Sequence, residues 1–316
     1  MSEQFSDMNR LVWRTIDAGD QAALIELDKA CKAVDGDEPV SNLPGDALNA
    51  AAVHSDNTLG VAVLDQLAAV AWVAANAVGG GVQRIRLGGQ VRPEFRRRGI
   101  GEALLAWAES RALRLAQPDV TLELLIVNEA LTEDANKLYL DYGYENTFSE
   151  LMLVRSLDGQ LPTGQLPSGL TERAWDGASA PLFFQAYAAG FRDRLGEIVP
   201  VEDEWIAEYT EEDEHFRPDL SQVVLDGESP VGFVTCEVAG ETGWISQIAV
   251  VQEQRRKGLA QILLVGALQR LQQAGCRQAA LHVNVNNARA QAVFYNAGFT
   301  HRLLRVKYIK EIMVPE

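Results

Sequence analysis

Two short basic turns that contain glycine are the residues of this chain best suited to ligand chemistry. The first runs from Gln90 to Gly101 and the second from Ala249 to Ala260, and each follows an apolar run and opens a leucine-rich one. Glycine lets the backbone approach a ligand closely, and the first amide groups of a helix have no partner inside the helix. An anion can accept hydrogen bonds from those amides. The turns therefore predict a phosphate-bearing ligand in one or both halves.

The spacing of the turns indicates an internal repeat. Gly99 and Gly258 lie 159 residues apart in a chain of 316 residues, which is close to half its length. Between Arg155 and Leu170 the sequence turns to glycine, proline and polar residues without an apolar period, as in a linker. We therefore expect two copies of one domain, at residues 1–157 and 169–316, with a linker at 158–168.

The composition restricts the possible classes of function. Hydrophobic residues make up 47% of the chain and charged residues 23%, which is typical of a soluble globular protein. The net charge of −16 argues against a general nucleic-acid binder, which needs a basic surface, and suits an amine or another cationic substrate. The N-terminus, Met1 to Gln4, has no basic and apolar leader, and no run reaches membrane length. The sequence thus predicts a cytoplasmic protein that binds no nucleic acid or membrane.

The cysteines and histidines predict neither a metal site nor a disulfide framework. Cys31, Cys236 and Cys276 are far apart and odd in number. The chain has only four histidines, and none pairs with a cysteine at the spacing of a zinc site.

The same order of strands and helices is predicted in each half. In the first half a strand meander ends at residues 83–91 and is followed by the turn, a helix at 99–115, a strand at 120–127 and a helix at 132–142. Gly88 and Gly89 interrupt the third strand of the meander, which indicates either a bulge with a role in binding or a close packing approach. The pattern predicts an α/β fold with a mixed sheet.

A second motif follows each turn, and the two motifs together resemble one family. The later motif spans Thr132 to Tyr144 in the first half and Asn287 to Phe299 in the second. The Gcn5-related N-acetyltransferase (GNAT) superfamily has Arg/Gln-x-x-Gly-x-Gly/Ala at the turn and Asn-x-x-Ala-x-x-Leu-Tyr-x-x-x-Gly-Phe in the later helix. The resemblance covers nearly the whole chain, and the arrangement is similar to tandem, mycothiol synthase-like members. It implies two tandem acyl-CoA N-acyltransferase domains.

The resemblance also implies that each turn holds the pyrophosphate of acetyl-CoA and that the preceding strand binds its pantetheine arm. Backbone amides and basic side chains are suited to that role. The implied binding residues are Gly89, Gln90, Val91, Arg96, Arg97, Arg98, Gly99, Ile100 and Gly101 in the first half, and Ile248, Ala249, Val250, Arg255, Arg256, Lys257, Gly258, Leu259, Ala260 and Asn287 in the second. A solvated charge cluster is the alternative interpretation of the three arginines.

The catalytic residue that the resemblance implies is Tyr139, which would protonate the departing thiolate. In the second half the same register gives Phe294, and Tyr295 is one position on, about 100° around the helix. A tyrosine that only packs in the core is an equally good interpretation of Tyr139. In tandem relatives one half is often catalytically silent, and in mycothiol synthase-like proteins the C-terminal half is the active one. The position of the tyrosine instead favours the first half. Which half is catalytic stays open at this point.

Other polar residues leave further alternatives. Thr132 stands where the family usually has asparagine, and the third strand of the first half offers no carboxylate as a general base. Glu237 and Glu241 are candidates in the second half, unless they only face solvent. The run from Trp205 to Phe216 mixes aromatic and acidic residues. It predicts either an acceptor pocket with cation–π contacts or, more simply, a solvated acidic face.

The predicted function is acetyl-CoA-dependent N-acetyl transfer to a primary amine of a small molecule or a peptide, carried out by both halves or by one half alone. A non-catalytic acyl-CoA-binding protein is the alternative. A nucleotide-binding protein fits poorly, because the turns lack both the Gly-Lys-Ser/Thr ending of a phosphate-binding NTPase loop and the spacing of a dinucleotide-binding fold.

Overall fold

The computed structural model describes residues 11–36, 43–79, 81–192, 200–210 and 214–314. Contacts group the chain into two compact units. Unit 1 contains residues 1–150 and 303–316, and unit 2 contains residues 151–302. The N-terminal residues Met1 to Gln4 and the acidic residues 211–213, both used in the sequence predictions, lie outside the described part.

Unit 1 begins with a strand and two helices that cover one face of its sheet. Its elements in chain order are β1 (Val12–Arg14), α1 (Gln21–Asp35), α2 (Leu43–Val53), β2 (Thr58–Val63), β3 (Gln66–Gly79), β4 (Val82–Val91), α3 (Ile100–Leu115), β5 (Thr121–Asn128), α4 (Glu133–Asp141) and β6 (Glu145–Ser156), of which the last crosses into unit 2. α1 follows a capping box in which Asp17 and Asp20 bond each other's backbone amides, which ends the preceding strand segment.

Unit 2 repeats this order. Its elements are β7 (Leu170–Ala174), α5 (Ala180–Gly190), α6 (Glu202–Thr210), β8 (Gln222–Asp226), β9 (Ser229–Ala239), β10 (Thr242–Val250), α7 (Leu259–Gln273), β11 (Gln278–Asn284), α8 (Ala288–Asn296) and β12 (Thr300–Met313), of which the last crosses into unit 1. Its strands follow the order β7-β8-β9-β10-β11-β6. β10 and β11 are parallel, and the pairs among β7 to β10 are antiparallel.

The last strand of the chain completes the sheet of unit 1. The strand order there is β1-β2-β3-β4-β5-β12, with β4 parallel to β5 and the other pairs antiparallel. β12 pairs with β5 from Val306, opposite Asn128, to Met313, opposite Thr121. Contacts thus group residues 303–316 with the first part of the chain, whereas the sequence placed 169–316 in one domain.

The predicted α/β class with mixed sheets is confirmed, and most elements lie within a few residues of the prediction. α2 and α6 were not predicted, and neither was the destination of β12. Among the described residues, no helix has both the length and the apolar character that crossing a bilayer requires. The described residues also contain no group of histidine, cysteine and acidic side chains able to hold a metal ion.

Candidate active site

The two glycine turns have the same backbone conformation. Arg97 and Arg256 have φ angles of 59° and 63°, and Gly99 and Gly258 have 78° and 84°. In both units the glycine is the N-cap of the next helix. No side chain caps that helix, so the first backbone amides of α3 and α7 can donate hydrogen bonds to a ligand. Such successive amides form an anion-binding concavity.

The residues after each glycine contribute backbone rather than side chains. Ile100 and Leu259 are both 3% exposed and fix the helix start in the core. A Cβ on Gly101 would meet Leu138 at 3.5 Å, an ordinary contact, so the site has room for the alanine that stands at the equivalent position 260.

The first arginine of each turn is held by protein groups. Arg96 donates to both carboxylate oxygens of Asp35, at 2.7 and 2.6 Å, and to the backbone oxygen of Val91 at 2.9 Å. Arg255 donates to the backbone oxygens of Val250, at 3.1 Å, and Gly190, at 2.7 Å. Each arginine therefore ties the end of a helix to the end of a strand, and a predicted phosphate contact would compete with these bonds.

The other basic side chains of the turns are exposed. Arg97 donates to both oxygens of Asp134, at 2.9 and 3.0 Å, and the Arg98 guanidinium lies 5.5 Å from the centre of the Phe95 ring. Asp134 raises the pKa of Arg97, so that side chain stays charged. In unit 2, Lys257 donates to Gln254 at 2.9 Å. The positive charge near the turn of unit 1 is thus that of Arg97 and Arg98, two exposed side chains that each contact a neighbouring side chain.

A cavity of about 970 Å³ opens beside the turn of unit 1. β4 and β5 pair only as far as Leu87 and Ile126, so the segment from Gly88 to Val91 has no partner on that side. Gly89 is exposed, and Gln90 and Val91 are half-buried. The splayed strands therefore leave main-chain groups open to a ligand of the size that such clefts accommodate.

The register of β3 and β4 is continuous through Gly88 and Gly89, so the paired glycines do not form a bulge. A Cβ on Gly88 would lie 2.3 Å from the Trp72 ring, and one on Gly89 would lie 2.5 Å from the backbone oxygen of Val70. The close-packing interpretation of this pair is confirmed.

Tyr139 lines the same cavity. Its hydroxyl accepts a hydrogen bond from the Asn128 side chain at 3.4 Å, and its ring packs at 5.0 Å from Tyr308 and 6.3 Å from Tyr144. Burial raises the pKa of Tyr139, and the hydrogen bond from Asn128 opposes that shift only in part. The phenol therefore keeps its proton at neutral pH, as a proton donor must.

Tyr308 supports this site by packing on Tyr139, and it was not predicted from the sequence. It is fully buried on β12, and its hydroxyl donates to the side-chain oxygen of Asn136 at 2.5 Å. The alternation of apolar residues in β12 could have predicted a strand. Only the fold shows that this strand lies beside β5 and Tyr139.

Comparison with known proteins identifies the family. A model of the acetyltransferase (GNAT) family matches residues 183–299, and a model of the acetyltransferase (GNAT) domain matches residues 55–146. The chain belongs to the GNAT family. It is a tandem, mycothiol synthase-like member and an N-acetyltransferase, and members of the family use acetyl-CoA.

Similar sequences and structures cover nearly the whole chain. A mycothiol acetyltransferase of Parafrankia sp. (strain EAN1pec) is 26% identical, over 95% of this chain and 98% of that protein. A second, from Nocardioides sp. (strain ATCC BAA-499 / JS614), is 27% identical over 67% and 75%. The fold matches a GCN5-related N-acetyltransferase from Sphaerobacter thermophilus, with a TM-score of 0.75, 23% identity and 97% coverage of both chains. It also matches a tandem GNAT protein from the clavulanic acid biosynthesis pathway, with a TM-score of 0.63, 16% identity and coverage of 96% of this chain and 98% of that one.

The second GNAT unit has a buried strand end in place of the open one. Ala249 and Val250 are 9% and 7% exposed. β10 carries a bulge between Ile245 and Gln247 and pairs with β11 only as far as Trp244, but α5 covers the free segment. A Cβ on Gly190 would lie 2.7 Å from that of Ala249, so helix and strand are in direct contact. α5 therefore covers the strand at Ala249, whereas Gln90, at the same position of unit 1, lines the cavity.

The aromatic residues of α5 and α6 form a core cluster. Trp205, Tyr209 and Phe216 are between 2% and 8% exposed. They pack against Trp175, Phe183 and Phe233, among others. Of the two interpretations of the run from Trp205 to Phe216, the pocket for a cationic amine is wrong, because these rings are buried, whereas Glu208 and Glu214 of the same run are exposed, as a solvated face requires.

The later motif of unit 2 has a phenylalanine, not a tyrosine, at the position of Tyr139. Phe294, at the position of Tyr139, is 5% exposed and packs on Phe299 at 6.0 Å, whereas Tyr295 is 42% exposed. Of the two predicted bases, Glu241 is exposed and Glu237 accepts a hydrogen bond from Ser246.

Thr132, which replaces the asparagine of the GNAT motif, caps its helix as the asparagine does in unit 2. Its side-chain oxygen accepts from the amide of Ala135 at 3.2 Å and caps α4. Asn287 caps α8 in the same way, accepting from the amide of Ala290 at 3.1 Å. Either side chain accepts a hydrogen bond from one free amide of its helix. The threonine therefore keeps the start of α4 intact. A cofactor contact of Asn287 stays a prediction.

Proposed function

We propose that unit 1 transfers the acetyl group of acetyl-CoA to a primary amine of a small molecule or a peptide, and that unit 2 does not turn over. The observation that carries this proposal is the contrast between the strand ends. Gln90 and Val91 are half-buried and line a large cavity that Tyr139 also lines, whereas Ala249 and Val250, at the same positions of unit 2, are only 9% and 7% exposed. The family's donor needs an open strand end, and the reaction needs a proton donor within reach.

The chain's own groups suit the steps of such a transfer. The turn before α3 offers amides to the donor's phosphates, and the unpaired main chain from Gly88 to Val91 can polarise a thioester carbonyl. The neutral amine attacks the carbonyl carbon, a C–N bond forms and the C–S bond breaks. Tyr139 gives its proton to the thiolate, and the tyrosinate recovers a proton from the acetylated nitrogen through solvent.

Cys31 does not compete as an acyl carrier in this proposal. It lies in the cavity wall, 2% exposed, with its sulfur 3.5 Å from the backbone oxygen of Val91. Burial raises the pKa of its thiol to about 11. The thiolate, which is the nucleophilic form, is therefore scarce at neutral pH.

The two turn glycines give a matched test of which unit works. Glu at position 99 or 258 places a side chain and a negative charge beside the amides, and the backbone strain is similar because the φ angles are 78° and 84°. With acetyl-CoA and a panel of amino acids, amino alcohols, polyamines and short peptides, we expect Gly99→Glu to abolish release of the CoA thiol and Gly258→Glu to preserve it. Loss in Gly258→Glu alone would assign the chemistry to unit 2.

A further inference from the structure

Asn128, the last residue of β5, contacts the hydroxyl of Tyr139 through a side chain that no step of the acetyl transfer has yet used. Its side-chain nitrogen donates to the phenol oxygen at 3.4 Å, and both side chains line the unit 1 cavity. The phenol oxygen accepts on this side, so its own proton is directed away from Asn128. The contact is therefore placed where it can act on the proton donor itself.

The orientation of the Asn128 side chain is fixed by the backbone. Its oxygen accepts from the amide of Ala130 at 3.2 Å, and a backbone N–H can only donate. The side-chain nitrogen must then face Tyr139. The strand is held as well, because Asn128 pairs with Val306 of β12, which is 1% exposed. The hydrogen-bond donor is thus in place before any ligand binds.

Tyr139 is held on the other side of this contact. Its ring packs on those of Tyr144 and Tyr308, at 6.3 and 5.0 Å between ring centres, and Tyr308 donates to Asn136 of the same helix at 2.5 Å. The 3.4 Å contact with Asn128 is long for a bond between neutral groups. Catalytic hydrogen bonds of this kind tighten in the reacting complex, where the acceptor becomes charged.

The charged side chains on the elements around Tyr139 are paired with one another. Glu109 of α3 lies 2.8 Å from Lys310 of β12, and Glu129, after β5, lies 2.9 Å from Arg305 of β12. The pairs that involve α4 and β6 are Arg97 with Asp134, Lys137 with Asp141, and Arg305 with Glu150. A neutral hydrogen bond can therefore matter to the phenol, since the nearby charges are already balanced.

The neighbouring phenols stay neutral, because burial raises the pKa of both Tyr144 and Tyr308. Burial also raises the pKa of Tyr139, and the hydrogen bond from Asn128 lowers it. A donor that lowers the pKa of a phenol stabilises its charged form. Asn128 thus favours the state that Tyr139 reaches after it gives up its proton.

We propose that Asn128 positions Tyr139 for proton transfer and stabilises the tyrosinate that the transfer leaves. The phenol O–H bond breaks as the S–H bond of the CoA thiol forms, and the negative charge passes from sulfur to the Tyr139 oxygen. The hydrogen bond from Asn128 then becomes charge-assisted, which makes it shorter and about twice as strong. Asn128 gains and loses no proton, so it is a positioning residue. The proposal rests on the proposed function of unit 1.

Unit 2 has the asparagine without the phenol. Asn284 is the last residue of β11, and its side-chain oxygen accepts from the amide of Asn286, two residues on, at 2.8 Å. The position of Tyr139 is occupied there by Phe294, which has no hydroxyl. Both asparagines therefore make the same turn, whereas the contact with a proton donor exists only in unit 1.

Asn128→Asp separates the turn from the contact with Tyr139. A carboxylate still accepts from the Ala130 amide, but it cannot donate to the phenol and it repels a tyrosinate. With saturating acetyl-CoA and an amine that the wild type acetylates, we expect kcat to fall about 10- to 100-fold at an unchanged KM for acetyl-CoA. Asn284→Asp makes the same change in unit 2 and should leave kcat unchanged.

The same substitution in the Tyr139→Phe background tests whether Asn128 acts through the phenol. With no hydroxyl present, Asn128→Asp should cause no further loss of kcat. An equal loss in both backgrounds, a wild-type kcat in Asn128→Asp, or a rise in KM alone would overturn the proposal. A residue that only maintained the turn would give the reverse order, with Asn128→Ala slow and Asn128→Asp normal.

A spectroscopic readout tests the contact without any amine. Difluorotyrosine at position 139 carries a phenol more acidic than that of tyrosine, and fluorine NMR follows its titration. Asn128→Asp should raise the pKa of that phenol by about 1 to 2 pH units, because a donor to the phenolate is lost. Asn284→Asp should leave it unchanged.

An unchanged pKa of the position 139 phenol in Asn128→Asp would also overturn the proposal, and the proposed function would then stand. If the wild-type protein binds no acetyl-CoA, the proposed function itself fails, whatever the titration shows.

Discussion

Tyr139→Phe is expected to lower kcat for acetyl transfer by about 10² to 10³ while leaving the KM for acetyl-CoA nearly unchanged. The substitution keeps the ring that packs on Tyr308 and Tyr144 and removes only the hydroxyl that Asn128 contacts. Binding of the donor does not use that hydroxyl, so the loss should appear in turnover. Steady-state kinetics with saturating acetyl-CoA measure it.

The matched control for this substitution is Tyr295→Phe. Tyr295 is 42% exposed on the corresponding helix of unit 2, and its loss should not change kcat. An unchanged kcat in Tyr139→Phe would remove Tyr139 from the reaction and favour the interpretation of a core tyrosine.

The role of Tyr139 as proton donor also predicts how the rate of acetyl transfer depends on pH. A proton donor works only while protonated, and burial raises the pKa of Tyr139 above that of an ordinary tyrosine. The rate should therefore not fall through the loss of this proton until the pH exceeds about 10, the usual value for tyrosine. In Tyr139→Phe that alkaline limit should be absent.

Substitution of Tyr308, on the last strand of the chain, should impair the unit that contains Tyr139. Tyr308→Ala removes a fully buried ring and is expected to lower the free energy of unfolding by about 3 to 5 kcal/mol. Tyr308→Phe keeps the ring but leaves Asn136 without its donor, so a loss of about 1 kcal/mol is expected. Denaturant unfolding measures both.

The kinetic consequence separates Tyr308 from an ordinary core residue. Since its ring lies 5.0 Å from that of Tyr139, Tyr308→Ala should lower kcat severalfold at an unchanged KM for acetyl-CoA, whereas Tyr308→Phe, which keeps the ring, should leave kcat nearly unchanged. Tyr295→Ala, at an exposed position, should change stability by less than about 0.5 kcal/mol and leave kcat unchanged. Wild-type stability and kcat in Tyr308→Ala would show that β12 does not support the site.

The two glycine turns were predictable because their conformation is encoded locally. Glycine at 99 and 258 permits the positive φ that starts each helix, and the basic residues and apolar runs around them repeat in sequence. The helix caps at Thr132 and Asn287 were predictable for the same reason, because each joins residues that are close in sequence.

The features that decide between the units are not local. Whether Gln90 and Ala249 are accessible depends on how α1 and α5 pack against the strands, and the close contact at Gly190 appears only in the fold. The aromatic residues near Trp205 could equally have lined a pocket or filled a core. Likewise, the strand pattern of β12 does not say which strand it pairs with.

Calorimetric titration with acetyl-CoA tests the central claim, that only unit 1 holds the donor, most directly. We predict one binding event in the wild-type protein, lost in Gly99→Glu and retained in Gly258→Glu. Two events, each removed by one substitution, would show that the buried strand end of unit 2 does not prevent binding. A single event lost only in Gly258→Glu would contradict the account.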